Sequence, residues 1–175
     1  MRSGKVGLGA LASVLALAGV WMADSVQAQS AQQPVVTQFD DSTIARLLLD
    51  VQAEWQIEAG ADGRSIYRAS NPNGIRFTAM PRACDQQGCR ALLVLTPFTR
   101  NDRRNLASLD SFLSTFNDQN PSAKAYRTAE GTVVLQSYIN AAGGTSFANA
   151  RAQLLVFGQN IVSMREGLTA FAEGQ

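Results

Sequence analysis

The sequence predicts an α+β domain with the element order α-β-β-β-β-α-β-β-α, and three observations carry that prediction. Three stretches space their apolar residues by threes and fours, six short runs alternate or stay apolar, and Gly, Asn, Asp and Pro punctuate the joins. The first helix starts near residue 41. Asp41 or Ser42 can accept from its orphan amides, and Ile44, Leu47, Leu48 and Val51 follow at i, i+3, i+4 and i+7. Trp55, Ile57 and Ala59 alternate with Gln56 and Glu58, a half-buried strand that turns at Asp62-Gly63 and returns over residues 64–69. Asn71-Pro72-Asn73-Gly74 is a turn into a third strand, in which Ile75, Phe77 and Ala79 alternate with Arg76, Thr78 and Met80. Residues 91–95 are apolar on both faces, which reads as a central strand ended by Pro97.

A second helix opens at Asn101 or Asp102, carries Leu106, Leu109, Phe112, Leu113 and Phe116, and stops at Asn120-Pro121. Residues 124–128 and 132–139 flank Ala129-Glu130-Gly131 as a second hairpin. Gly143-Gly144 then hinges into the last helix, capped by Thr145 or Ser146. Its apolar positions are Phe147, Ala150, Leu154, Phe157, Ile161, Met164, Leu168 and Phe171. Such a stripe must meet either the chain's own sheet, the reading preferred here, or a helix of a second copy.

The domain organisation follows from the first residues. Arg2 and Lys5 precede an apolar stretch over residues 6–22, and Val26-Gln27-Ala28 forms a small-x-small site, so residues 1–28 read as a cleaved secretory signal. No Cys stands near that site, which argues against a lipoprotein. Residues 29–40 are polar, contain Pro34 and read as a flexible lead-in, with a single domain over residues 41–175. The expected location is the periplasm, with no membrane insertion once the signal is removed.

Composition narrows the function. Losing Arg2, Lys5 and Asp24 with the signal leaves acidic and basic residues in balance, so no long-range field gathers nucleic acid or anionic lipid. The chain has no His, which excludes Ser-His-Asp, Cys-His and His-zinc chemistry. No nucleophile elbow, Walker loop, dinucleotide fingerprint or calcium loop occurs, and no metal or cofactor is implied. A carboxylate enzyme would have to draw on Asp102, Asp110, Asp118 or Glu130, which fall at helix starts, exposed faces and turns where solvated carboxylates are ordinary.

Cys84 and Cys89 bracket Asp85-Gln86-Gln87-Gly88 at the junction of two strands. Opposed hairpin residues lie within bonding reach, and an even count in an exported chain favours a structural disulfide over free thiols. Redox catalysis usually needs a two-residue spacing and a helix N-terminus, and this hairpin supplies neither.

Several stretches together resemble the YbjN family of small bacterial sensory-transduction regulator domains. They are Cys84-Asp-Gln-Gln-Gly-Cys89 with the apolar 91–95 strand, Phe116-Asn117, Ala123-Lys-Ala-Tyr126, Glu130-Gly131, Val133-Val-Leu-Gln-Ser137, and Gly143-Gly-Thr-Ser146 with Asn149. The likeness covers about residues 42 to 165. Phe116 stands where the family usually has Trp, and residues 118–122 lengthen the following connection. The resemblance implies helices on one face of an antiparallel sheet, as in type III secretion chaperones, and a binding module with no catalytic residues.

The leading expectation is therefore an exported, non-enzymatic module that recognises a protein or peptide, with a homodimer among the candidate assemblies. The alternative is a carrier of a small apolar ligand in a groove between the sheet and the last helix, lined by Phe147, Leu154 and Phe157. Asn117 is the polar residue to follow, with capping of its helix end as its ordinary role. Leu168, near the end of the stripe, is the candidate association residue.

Overall fold

The computed structural model describes residues 34–99 and 106–173. The signal reading of residues 1–28, and Asn101 and Asp102 with the start of the second helix, lie outside the described residues. In chain order the elements are β1 (Val35–Val36), α1 (Asp41–Asp50), β2 (Glu54–Ala59), β3 (Ser65–Ser70), β4 (Arg76–Asp85) and β5 (Gly88–Phe98). α2 (Leu106–Gln119), β6 (Lys124–Arg127), β7 (Val133–Asn140), β8 (Thr145–Ser146) and α3 (Phe147–Glu173) follow.

Local chemistry sets these boundaries. The Asp40 carboxylate accepts from the Thr43 amide at 2.7 Å and caps α1, one residue before the position read from sequence. The Asn71 side chain accepts from the amides of Asn73 and Ile75, both at 3.0 Å, and so closes the turn into β4. Ser146 caps α3 by accepting from Asn149 N at 3.1 Å.

Six strands form one antiparallel sheet in the order β2-β3-β4-β5-β7-β6, which places β4 and β5 at its centre and β2 and β6 at its edges. Alternation then sorts the side chains. Tyr67, Phe77, Ala79, Leu92, Val94, Leu135 and Ile139 share one face, and all are buried. The three helices pack on that face: Tyr67 Oη donates to Asp41 of α1 at 2.6 Å, Phe77 meets Phe157 of α3 edge to face at 6.5 Å, and Arg127 of β6 pairs with Asp110 of α2.

Three expectations change. Residues 34–40 belong to the folded body and do not form a flexible lead-in. β1 pairs antiparallel with β8, Phe147 N donates to Pro34 O at 2.8 Å, Phe39 N donates to Cys89 O at 2.7 Å, and Val36 and Phe39 are buried. Two glycines make room for this segment: a Cβ at Gly88 would run into the Gln38 side chain, and one at Gly144 would press on Val35. Second, Pro97 does not end its strand. β5 continues to Phe98 against β7 alone, because the β4–β5 ladder ends at Thr78↔Leu95, and a proline is tolerated where one flank is unpaired. Third, β2 is half-buried only at Trp55, which packs on the core; Ile57, further along this edge strand, remains 57% exposed.

Candidate functional site

The residues singled out from sequence fall into three separate places. At the tip of the β4–β5 hairpin, Cys84 and Cys89 are register partners and are joined by a disulfide, with Cα atoms 3.9 Å apart. The bridge closes a short loop, so it pins register rather than supplying much stability.

Asn117 sits on the last turn of α2. Its Nδ2 donates to Ala125 O at 2.9 Å and its Oδ1 accepts from Ala125 N at 2.7 Å. The side-chain amide thus pairs with one residue of β6 as a neighbouring strand would, and it ties α2 to the sheet edge. The helix-end capping read for Asn117 is instead done by Asn120, whose Nδ2 donates to Phe116 O at 2.9 Å. Asn117 thus commits one donor and one acceptor of its amide to this clamp.

The groove expected between sheet and last helix is filled by the residues meant to line it. Phe147, Leu154 and Phe157 are all buried in the core, Phe157 at 1% exposure, and Arg46 lies over the Phe147 ring at 4.3 Å from its centroid. Leu168 is partly buried against the same core, and nearby Phe171 stacks on Phe112 with ring centroids 5.8 Å apart. The α3 stripe is therefore consumed by the chain's own sheet and α2. Phe147, Leu154 and Phe157 thus present no open surface, while Leu168 is only partly covered.

Of the carboxylates considered for catalysis, Asp102 lies outside the described residues and Asp110, Asp118 and Glu130 are exposed. Asp110 makes a two-point ion pair with Arg127 at 3.1 and 3.0 Å, which holds its carboxyl below the usual range and raises the guanidinium. Asp118 is exposed on α2. Glu130 is exposed in the β6–β7 turn, and its own backbone amide lowers its carboxyl. Among the described residues no three His, Cys, Asp or Glu side chains gather as a metal site. Sequence reasoning missed Tyr67, a fully buried phenol whose ionisation is pushed up first by burial and then by the Asp41 carboxylate it donates to. Its alternation with Arg68 was the available signal for an inward position.

The other face of the sheet is different. Register places Met80, Leu93, Leu95 and Val134 there, at the centre, with Tyr126 and Tyr138 beside them at 37% and 52% exposure. No described helix packs on it. Arg68, Arg76, Arg82 and Lys124 also project from this face, and Glu58 pairs with Arg68 at 3.1 Å.

The fold is thus an antiparallel sheet with its described helices on one side and apolar side chains with two exposed tyrosines on the other. The family model "Putative bacterial sensory transduction regulator", YbjN, matches residues 40–169, and the chain belongs to that family. No curated protein matches it.

Proposed function

We propose that this chain is an exported, non-catalytic regulatory module that binds a protein or peptide partner through the helix-free face of its sheet. The observation that carries the reading is the juxtaposition on that face of the exposed rings of Tyr126 and Tyr138 with the partly exposed Met80 and Leu95, beside Leu93 and Val134, which are only 7% and 9% exposed. Tyrosine beside apolar side chains offers large contact area at low entropic cost, which is the chemistry of protein interfaces. The regulator description of the family supports a binding role. Export rests on the order of charged, apolar and small residues over residues 1–28.

A photoreactive residue at position 138, tested in intact cells, should capture a partner, whereas one at the exposed helix residue Leu155 should not. Tyr138→Glu should abolish the capture made from a neighbouring position such as Tyr126 without lowering thermal stability. Capture of a second copy of the chain would identify the partner as itself. Equal capture from 138 and 155 would refute the assigned face. Fractionation addresses export separately: the released protein should begin at Gln29 or within a few residues of it, and recovery of full-length chain in membranes would refute cleavage.

A further inference from the structure

The β4–β5 ladder stops short at one end of the helix-free face. Its last pair is Thr78↔Leu95, Pro97 has no amide to offer beyond it, and the Thr96 hydroxyl, donating to Arg76 O at 2.8 Å, ties the two strands instead. The gap leaves a notch of about 560 Å³ lined by Gln56, Arg68, Ser70, Arg76, Thr78 and Thr96. Strand register explains the grouping. Gln56, Arg68 and Thr78 form one cross-strand row, and Ser70 and Arg76 are partners in the next, so all five side chains project from the same face.

The donors outnumber the acceptors. Arg68 uses Nε on Glu58 at 3.1 Å and Nη1 on the Thr78 hydroxyl at 2.9 Å, which fixes the plane of its guanidinium and leaves Nη2 uncommitted. The Arg76 guanidinium has no hydrogen-bond or ion-pair partner among the described residues. Among the described residues no carboxylate lines the notch. Of the described acidic groups on this face, Glu58 is held by Arg68, and Glu54, opposite Ser70, lies two strands from Arg76, their backbones roughly 9 Å apart.

We propose that this notch is an oxyanion site that takes one carboxylate or phosphate group, gripped by the Arg76 fork with Arg68 Nη2 and the Ser70 hydroxyl as further donors. The site stands whether or not the apolar part of the face takes a partner. Its anion can arrive as a free small molecule or as an acidic group on a docked chain.

The test follows the arginine Nε–Hε resonances by NMR while the full chain is titrated with inorganic phosphate. In parallel it is titrated with a blocked Leu-Glu-Leu peptide and its Leu-Gln-Leu counterpart. Movement of the Arg76 and Arg68 signals by phosphate assigns a free anion, and movement by the Glu peptide alone assigns an acidic group on a partner. Arg76→Gln should weaken the binding roughly tenfold or more. Lys124→Gln removes the same charge from the same face three strands from Thr78, and should leave affinity within about twofold. Silence of both arginine signals up to about 20 mM of either anion would overturn the site, as would equal weakening by Arg76→Gln and Lys124→Gln.

Discussion

Replacing Asn117 by Ala removes two hydrogen bonds to a single buried residue, and the cost can be worked from their geometry. The 2.9 and 2.7 Å bonds to Ala125 each contribute about 1 kcal/mol net, and a buried Ala125 amide left without an acceptor adds about 1 kcal/mol more. The expected loss is therefore about 3 kcal/mol, a fall in Tm of roughly 10 °C for a domain of this size. Asn120→Ala is the internal control. Its side chain makes one bond, to Phe116 O, which already accepts the Asn120 amide, so about 0.5 kcal/mol is expected. Chemical denaturation of both variants measures the pair, and hydrogen exchange at the Ala125 amide localises the effect. If the two losses agree within about 0.5 kcal/mol, or if Ala125 exchanges no faster in Asn117→Ala, the clamp does not hold α2 to the sheet edge.

Three further outcomes are expected. Replacing both Cys84 and Cys89 with Ser should cost about 2 kcal/mol without abolishing folding, because the closed loop is short, and thiol labelling of the unreduced, denatured wild type should find no free thiol. Leu154→Asp or Phe157→Asp should unfold the domain, as a charge enters a site under 4% exposed, whereas Leu168→Asp should only lower stability; circular dichroism melts compare them. The Asp40 carboxyl is lowered from 3.8, chiefly by the Thr43 amide, so its stabilisation is present above that value and disappears as pH falls through the lower folded value. The advantage of wild type over Asp40→Asn should therefore shrink in acid, and a gap that widens there would contradict the cap.

Local signals account for what the sequence makes legible. Hairpins announced by Asp62-Gly63, Asn71 to Gly74 and Glu130-Gly131, and the three-and-four stripe of α3, depend on neighbours close in the chain, and each forms as read. The failures are non-local. β1 is two residues long and its partner β8 lies more than a hundred positions away, so nothing near Val35 signals pairing. Ile57 alternates correctly, but alternation cannot say that β2 falls at an edge. Asn117 is legible as a polar residue at a helix end, while its target on β6 depends on how α2 returns to the sheet. The oxyanion notch was invisible for the same reason: Arg68 and Arg76 are eight residues apart and become near neighbours only through the β3–β4 register.

The docking of residues 34–40 separates two boundaries that are easily conflated. The family match opens at residue 40, yet Val36 and Phe39 are already part of the core and Pro34 already accepts from the first amide of α3. A fragment cut to the match would forfeit the Phe39 side chain, a burial of about 2 kcal/mol, and expose the cavity it fills. It would also strip β8 of its only strand partner among the described residues. At the other end the match closes at 169, short of Phe171 and its stacking on Phe112. The matched stretch is thus shorter than the stretch whose side chains pack into the core. Expression fragments should accordingly include Pro34 at one end and Phe171 at the other, and any tag or fusion joined at residue 40 would sit where the chain needs its own preceding strand.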